Sequence, residues 1–227
     1  MDKHCIITGS SRGIGLELVK NFINIGYTVH ALSRNSLPVQ ELGYQNCYSY
    51  SCDLSKASSL KNTLEKIKER TLSIDILINN AGKFLNQNFL ETNLEDVKSV
   101  YETNVFGVFT LTSQCMNMFS GLKHVVNISS MGGIQGSMKF PGLAAYSSSK
   151  AALICLTELL AEEFKEDPIA FNCLALGAVQ TEMLAEAFPG FEAPVSAKEM
   201  ADYILEFSIS AHKYYNGKTL QVSNSTP

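Results

Sequence analysis

A glycine-rich turn directly after the first apolar stretch constrains this chain more than any other feature. The segment "CIITGSSRGIGLEL" places Gly9, Gly13 and Gly15 between a predicted strand and a predicted helix. Glycine lets the backbone turn tightly and lets a phosphate group approach closely, and the helix N-terminus offers unpaired N–H groups to an anion. A plain glycine turn without a ligand is the alternative interpretation of this motif when it is taken alone.

Short apolar stretches alternate with helical patterns along the chain. Continuous apolar strands of this kind indicate a parallel sheet that is covered on both faces, and right-handed crossovers then give a doubly wound α/β sheet. The predicted strands cover residues 3–8, 27–33, 46–54, 74–82, 123–130, 169–177 and 218–223. The predicted helices cover residues 15–26, 56–70, 94–119, 144–165 and 196–210, and residues 131–143 and 178–195 are expected to be irregular.

Length and composition favour one globular domain over residues 1–227. Of the 227 residues, 45% are hydrophobic and 18% are charged, which suits a chain with a sizeable core. The net charge is −4 without a basic block, so nothing indicates nucleic acid or a membrane as a partner. No apolar run approaches the ~18 residues that span a bilayer, and the N-terminus lacks a signal-peptide pattern, so we expect a cytoplasmic protein. The cysteines and histidines show no paired spacing, so we predict free thiols and no bound metal.

The glycine spacing, preceded by a threonine, resembles the phosphate loop of the short-chain dehydrogenase/reductase family in its short single-domain branch. Further motifs resemble those of the family and occur in family order: "NNAG" (79–82), Asn104 in "YETNVFGVF", "NISS" (127–130) and "YSSSK" (146–150). The resemblance covers residues 8–181. It implies a Rossmann-like doubly wound sheet of about seven strands in three α/β/α layers, a nicotinamide cofactor, and hydride transfer to a carbonyl or from an alcohol.

The resemblance also assigns roles to four residues. Tyr146 is implied to be the general acid in carbonyl reduction, and Ser130 is implied to bind the substrate oxygen. Lys150 is implied to bind the nicotinamide ribose and to lower the pKa of the tyrosine, because a cation favours the phenolate. Asn104 is implied to anchor a water that links the lysine to solvent. Ser129 is the rival candidate to Ser130, and the small residues around the tyrosine are also compatible with close helix packing between subunits.

The end of the second predicted strand indicates which nucleotide binds. In "HALSRN", Ser33 stands where an acidic residue would bind the ribose hydroxyls, Arg34 follows, and Arg12 lies in the glycine loop. Two guanidiniums would hold a 2′-phosphate by charge-assisted hydrogen bonds, so NADP(H) is predicted over NAD(H). Either arginine alone would be interpreted as a solvated surface cation, and Asp53 alone as a helix N-cap. The implied cofactor site consists of Gly9, Ser11, Arg12, Gly13, Ile14, Gly15, Ser33, Arg34, Asp53, Leu54, Asn80, Ala81, Gly82, Val179 and Thr181.

Four features depart from the family pattern. Leu176 stands where the family has a proline, which should loosen the turn that follows. The gap between Ser130 and Tyr146 is a few residues longer than in the family, and the segment after Thr181 is short, so we expect an open pocket that suits an extended or tethered substrate. The ending "LQVSNSTP" resembles that of the family only loosely, which weakens the argument for a C-terminal tetramer contact. The candidates to line the pocket mouth are Met138, Phe140 and Pro141, and the alternative interpretation is that they only cap the inserted loop.

We therefore expect an NADPH-dependent carbonyl reductase, with a 3-oxoacyl thioester as the candidate substrate. A secondary alcohol or polyol dehydrogenase is one alternative, and a non-catalytic NADP-sensing protein is another. The presence of both Tyr146 and Lys150 argues against the sensor, because such a protein has no use for the pair. A small carbonyl or alcohol substrate and a homodimer or homotetramer are the expected partners.

Overall fold

The computed structural model describes residues 2–223 and shows a parallel sheet between two layers of helices. The sequence ending discussed above continues into residues 224–227, which lie outside the described part. The strands are β1 (Lys3–Thr8), β2 (Tyr27–Ser33), β3 (Cys47–Ser51), β4 (Ile76–Asn79), β5 (His124–Ser130), β6 (Ala170–Leu176), β7 (Val179–Gln180), β8 (Val195–Ser196) and β9 (Thr219–Val222). The helices are α1 (Gly13–Asn24), α2 (Leu37–Gln40), α3 (Ala57–Lys68), α4 (Leu94–Tyr101), α5 (Gly107–Met118), α6 (Ala144–Glu163), α7 (Glu182–Ala187) and α8 (Ala197–Ser210).

The main sheet has seven parallel strands in the order β3-β2-β1-β4-β5-β6-β9. The strand order reverses between β1 and β4, which pair in register with Ile7 opposite Ile78. Connections leave these two strands toward opposite sides, so a crevice opens at their carboxyl ends. The predicted doubly wound α/β fold is confirmed, and the crevice is the place where such sheets bind ligands.

Each central strand is buried on both faces. In β1, Ile6 packs in the layer of α3 and α5, whereas Ile7 packs in the layer of α1 and α8, and both side chains are 0% exposed. Each buried side chain of this size stabilises the fold by roughly 1.5–3 kcal/mol relative to an exposed position. Burial on both sides explains why the strands are continuously apolar in sequence.

The predicted helix over residues 94–119 is interrupted by a wider turn. A capping box between Asn93 and Asp96 starts α4, and a π-helical turn over Glu102–Phe106 joins it to α5. Asn104 lies in that turn and is buried. The extra residue of a π turn is a feature that often accompanies functional positions in helices.

The segment over residues 178–195 is more ordered than the sequence predicts. It contains α7 and the two-stranded ribbon of β7 and β8, in which Val179 pairs with Val195. Helix α2 was also missed, and the predicted strands over 46–54 and 74–82 continue past the real ends of β3 and β4. Between residues 2 and 223, no helix has the length and apolar character needed to cross a bilayer.

Candidate active site

A cleft of about 740 Å³ opens at the carboxyl ends of the central strands. Every residue that the sequence predicts for the cofactor lines this cleft, and so do Ser130, Tyr146 and Lys150. Asn104 is the one predicted catalytic residue that does not line it. The topology thus brings together segments that are distant in sequence, because the carboxyl ends of parallel strands meet at one edge.

The glycine loop forms one wall of the cleft. Gly9 and Gly13 have φ angles of +69° and +54°, a region that side chains disfavour. A Cβ at Gly15 would lie 2.1 Å from the carbonyl oxygen of Gly9, so only glycine allows α1 to start this close to β1. Among residues 2–223, no side chain caps the N-terminus of α1, so its first N–H groups can bind an anion. The loop therefore fits the phosphates of a dinucleotide.

Thr8 ties the loop to the neighbouring strand end, a role that was not predicted. Its hydroxyl accepts hydrogen bonds from the N–H groups of Asn80 and Ala81, both at 3.0 Å. The amide of Asn80 donates in return to the carbonyl oxygen of Thr8 at 2.9 Å. The side chain of Asn80, which was predicted to bind the cofactor, thus braces β1 against β4.

The second strand ends without an acidic residue. The hydroxyl of Ser33 donates to the carbonyl oxygen of Asn35 at 2.7 Å, which bends the chain at the cleft edge. Arg34 is exposed and lines the cleft together with Arg12. The guanidinium of Arg12 forms an ion pair with Glu186 in α7, so the two predicted phosphate ligands differ in their surroundings.

Asp53 supports the turn after β3. One of its carboxylate oxygens accepts from the N–H and hydroxyl of Ser55, at 3.1 and 2.7 Å. Burial tends to raise the pKa of Asp53, but the Ser55 hydrogen bonds and the charges of Lys56 and Arg34 outweigh it and lower the pKa. The alternative interpretation of Asp53 as a helix N-cap is wrong, because Lys56 holds that position in α3.

Tyr146 and Lys150 lie one turn apart on α6 and face the same end of the cleft. The Nζ atom of Lys150 is 5.8 Å from the centre of the Tyr146 ring and donates to the carbonyl oxygen of Ile128 at 2.8 Å. The ring of Phe84 packs against Tyr146 with 4.8 Å between the centroids. The phenol therefore has the lysine on one side and an aromatic ring on another.

A tight turn after β5 brings Ser130 to the tyrosine. A Cβ at Gly133 would lie 2.7 Å from a backbone carbon of Lys150, so glycine is needed for this turn to pack on α6. Ser130 is partly exposed and lines the cleft together with Tyr146. Ser129 is buried, and its hydroxyl donates to the backbone oxygen of Lys150 at 2.9 Å. This geometry favours Ser130 over its rival.

The pKa values of the pair differ from the prediction made from the sequence. Burial lowers the pKa of Lys150 to about 8, against a smaller opposing effect of Cys173. Burial raises the pKa of Tyr146 to about 12, and the hydrogen bond with Ser130 offsets part of this rise. The predicted lowering of the tyrosine's pKa by the lysine is wrong for the chain by itself, because desolvation of the phenolate has the largest effect on the pKa of Tyr146 and raises it.

Asn104 acts behind the cleft wall. Its amide nitrogen donates to the carbonyl oxygen of Lys83 at 3.0 Å and to the hydroxyl of Ser149 at 2.9 Å, and its oxygen accepts from the N–H of Lys83 at 2.7 Å. Ser149 in turn donates to the backbone oxygen of Tyr146 at 2.7 Å. Both amide hydrogens are therefore used by the protein, and the side chain links the loop after β4 to the second turn of α6.

The mouth of the cleft is mostly apolar. Lys139 holds the inserted loop together, since its Nζ donates to the carbonyl oxygen of Gly132 at 2.9 Å and to the hydroxyl of Ser137 at 2.7 Å. Met138 and Phe140 line the cleft, whereas Pro141 does not, so the first of the two interpretations holds for Met138 and Phe140 alone. The large apolar side chains at the mouth are Phe84, Met138, Phe140, Leu143, Phe188 and Phe191.

The segment after β6 closes one side of the cleft. Val179 is buried in the small ribbon, and the hydroxyl of Thr181 accepts from the N–H of Leu184 at 3.2 Å and so caps α7. A Cβ at Gly177 would lie 2.6 Å from the hydroxyl of Ser223. The turn after Leu176 therefore keeps its tight packing without the proline that the family pattern leads one to expect.

This fold and this site define a class: a doubly wound dinucleotide-binding α/β protein with a serine, a tyrosine and a lysine at the reactive end of the cleft. The family model described as short chain dehydrogenase matches residues 3–190. The chain belongs to this family of oxidoreductases, and the resemblance drawn from its motifs is confirmed.

Several relatives have known names. The chain is 33% identical over 190 residues to carbonyl reductase family member 4 of Danio rerio, and the aligned region covers 82% of this chain and 79% of that protein. It is 30% identical over 188 residues to the 3-oxoacyl-[acyl-carrier-protein] reductase of Mus musculus, and the aligned region covers 81% of this chain and 78% of that protein.

Solved structures agree with the fold. The protein ElxO, solved with NADP bound, has a TM-score of 0.85 at 26% identity, and the match covers 98% of this chain and 97% of that one. A 4-hydroxyisoleucine dehydrogenase in complex with NADH has a TM-score of 0.87 at 26% identity, with 99% and 98% covered. The 3-ketoacyl-(acyl-carrier-protein) reductase of Brucella melitensis in complex with NADH, at 24% identity and a TM-score of 0.88, covers 97% of this chain and 96% of its own.

Proposed function

We propose that this chain is an NADP(H)-dependent oxidoreductase that reduces a carbonyl group to an alcohol and catalyses the reverse oxidation. The observation that carries the proposal is the meeting of Ser130, Tyr146 and Lys150 at one end of the cleft whose wall is the glycine loop. A carbonyl oxygen beside Ser130 and Tyr146 lies within reach of both hydroxyl groups, and this arrangement is what proton transfer to an alkoxide requires.

A bound nicotinamide supplies the hydride in such a reaction. The hydroxyl of Ser130 donates a hydrogen bond to the carbonyl oxygen and stabilises its developing charge. The phenol of Tyr146 then delivers its proton to that oxygen. Lys150, whose pKa is about 8, is largely cationic at neutral pH and stabilises the phenolate that remains. In the oxidation direction, the same phenolate takes the proton from the alcohol.

The preference for NADP(H) rests on the edge of the cleft at β2. Ser33 leaves that edge without a carboxylate that would repel a 2′-phosphate, and Arg34 and Arg12 supply positive charge there. The structural neighbours include complexes with NADP and with NADH, so a nicotinamide nucleotide is supported by likeness and the choice between the two depends on these residues.

The substrate that we propose is an apolar carbonyl compound, with a 3-oxoacyl thioester as the leading candidate. The mouth presents Phe84, Met138, Phe140 and Phe188, which suit an acyl chain. Relatives with 30% identity are named 3-oxoacyl-[acyl-carrier-protein] reductases, which agrees with this choice.

The experiment that tests the function is nucleotide oxidation against a panel of carbonyl compounds. The panel contains a 3-oxoacyl thioester, small ketones, aldehydes and quinones, each with NADPH and with NADH. We expect turnover with NADPH that is fastest for the thioester. Tight NADPH binding without turnover of any panel member would contradict the reductase and favour a nucleotide-sensing protein.

We also propose that the chain forms a homodimer or homotetramer. Helix α6 exposes Cys155 and the large apolar side chain of Leu159, which is 61% exposed. An apolar residue of this size on a helix surface is consistent with helix packing between subunits. Light scattering should give a mass of two or four times 24.9 kDa, and a mass of one chain would contradict the proposal.

A further inference from the structure

Arg12 is engaged by a carboxylate of the chain itself. Its guanidinium contacts both carboxylate oxygens of Glu186, from Nη1 to Oε1 and from Nη2 to Oε2 at 3.1 Å. Arginine uses this two-contact geometry for phosphate as well as for carboxylate. Glu186 therefore occupies the hydrogen-bond donors of Arg12 that a phosphate group would need.

Helix α7 carries the carboxylate to this position. A Cβ at Gly13 would lie 3.3 Å from Cγ2 of Thr181 and 3.3 Å from Oε2 of Glu182, so the helix starts against the glycine loop. Glu182 and Glu186 are four residues apart and lie on one side of the helix. The hydrogen bond of Glu186 is the main cause of the raised pKa of Arg12, and Glu182 adds to it.

A second cavity, of about 420 Å³, joins these groups to the other predicted phosphate ligand. Arg12, Arg34 and Lys83 line it, and Glu186 is the acidic residue among its described lining residues. The two arginines thus converge on one space, as the predicted 2′-phosphate site requires. The carboxylate of Glu186 is negatively charged, as a phosphate is, and it binds Arg12, which the 2′-phosphate would also bind.

We propose that Glu186 is a specificity-determining residue that weakens the binding of nucleotides with a 2′-phosphate by competing with that phosphate for Arg12. The inference rests on the proposed function, since it places the nucleotide in this cleft. NADH has no 2′-phosphate, so it binds without displacing Glu186 from Arg12. NADPH gains the contact to Arg12 only when the ion pair opens, and its affinity is reduced accordingly.

The test is the dissociation constant of each nucleotide, followed by nicotinamide fluorescence, for the wild type and for Glu186→Gln. We expect the NADPH constant to fall about 2- to 5-fold, as for loss of a competing exposed ion pair, while the NADH constant changes by less than about 1.5-fold. Glu158→Gln is the matched control: it makes the same change of charge on α6, lines neither cavity, and should leave both constants unchanged.

A second comparison isolates the route through Arg12. In an Arg12→Ala background, Glu186→Gln should no longer change the dissociation constant of NADPH, because the guanidinium for which Glu186 and the phosphate compete is absent. An equal change for both nucleotides, no change for NADPH, or an effect that persists without Arg12 would overturn the inference. If the wild type binds NADH more tightly than NADPH, the proposed preference fails, yet a selective effect of Glu186→Gln on NADPH still supports the role of Glu186. If neither nucleotide binds, both proposals fail.

Discussion

Arg34 is the residue on which the proposed nucleotide preference depends most directly. It is exposed, it lines the cleft next to Ser33, and no acidic residue precedes it at the end of β2. Arg12 lies at the same proposed phosphate site but forms an ion pair with Glu186, so its contribution to NADPH binding is smaller. We therefore expect replacement of the two arginines to change the affinity for NADPH by different amounts.

Replacing Arg34 with Asp should shift the preference from NADPH toward NADH. The change removes a charge-assisted hydrogen bond and adds a carboxylate that repels the 2′-phosphate, so we expect the NADPH dissociation constant to rise about tenfold or more. The NADH constant should change far less. Lys213→Asp is the control, because it changes the charge equally at an exposed residue outside the cleft. Unchanged discrimination in Arg34→Asp would show that this residue does not contact the phosphate.

The residues that could be predicted from the sequence are those whose motif fixes both type and position. Ser130, Tyr146 and Lys150 all line the cleft, and the preference for Ser130 over Ser129 agrees with the hydrogen bonds. The sequence does not reveal which partner a side chain chooses. Asn80 turns to Thr8, and Glu186 meets Arg12 across 174 positions in the chain. Such pairings depend on the tertiary structure alone.

At the scale of elements, the contact between the turn after β5 and helix α6 positions the proposed catalytic group. Gly132 and Gly133 let this turn approach the helix so closely that a Cβ at Gly133 would overlap the backbone of Lys150. The contact fixes the distance between Ser130 and Tyr146. Catalysis is sensitive to such a distance, since misplacement by about 1 Å can cost about 10²-fold in rate.

Gly133→Ala should therefore reduce both stability and turnover. We expect the free energy of unfolding to fall by about 1–3 kcal/mol, as for other overpacked positions, and kcat to fall about 10- to 100-fold. Urea unfolding measures the change in stability, and the turnover of a panel carbonyl compound that the wild type reduces measures the change in kcat. Gly136→Ala is the control in the same loop: a Cβ there has no described atom within 4 Å, but its φ of +80° is strained for alanine, so we expect stability to fall by about 1–2 kcal/mol while kcat stays near the wild-type value. A Gly133→Ala protein with wild-type kcat would disprove the positioning role of the turn.

The long elements were predicted correctly in type, because their apolar pattern extends over many residues. The elements that were missed are short: α2, α7 and the ribbon of β7 and β8 each cover six residues or fewer, which is too few for a period to appear. The four-residue strand β4 was predicted nonetheless, because it lies in a continuous apolar run. The π turn around Asn104 escaped prediction for a different reason. Its extra residue changes the hydrogen-bond pattern of the backbone without leaving a distinctive side-chain pattern.

At the scale of the whole molecule, the sheet that builds the cleft also contains buried histidines at its other end. His124 begins β5 and is 0% exposed. Its Nδ1 donates to the carbonyl oxygen of Ser208 at 2.9 Å, and its Nε2 accepts from the amide of Asn172 at 3.0 Å, which requires the neutral ring. Burial lowers the pKa of His124 to about 4, against a smaller opposing effect of the Ser208 carbonyl.

The stability of the fold should consequently decrease as the pH falls below about 6.5. Because the pKa of His124 is lower in the folded chain than in the unfolded one, the unfolded state binds the extra proton first, and each pH unit costs about 1.4 kcal/mol. Between pH 7 and pH 5, the wild type should lose about 1–2 kcal/mol more unfolding free energy than His124→Gln does. Urea unfolding at the two pH values measures this difference. Equal losses of unfolding free energy in the two proteins would contradict the low pKa of His124 in the folded chain, because the other titrating groups, His30 and the carboxylates, are present in both.

The overall architecture could be predicted from the sequence because its signal is distributed over the whole chain. Seven apolar strands, the glycine loop and the order of the motifs all require the same doubly wound sheet, and the structure has that sheet. The pKa of Tyr146 could not be predicted in the same way. It depends on how much water the packed cleft excludes from the phenol, which is a property of the assembled molecule.

The central claim is that Tyr146 is the proton donor of a carbonyl reductase, and one measurement tests it most directly. The rate of NADPH oxidation with a panel substrate is compared between the wild type and Tyr146→Phe, and the NADPH dissociation constant is measured in parallel. Tyr214→Phe removes the same hydroxyl from an exposed tyrosine outside the cleft and serves as the control. We predict a rate at least about 10²-fold lower in Tyr146→Phe, with NADPH affinity within about twofold of the wild type. A Tyr146→Phe protein that reduces the substrate at the wild-type rate would contradict the claim.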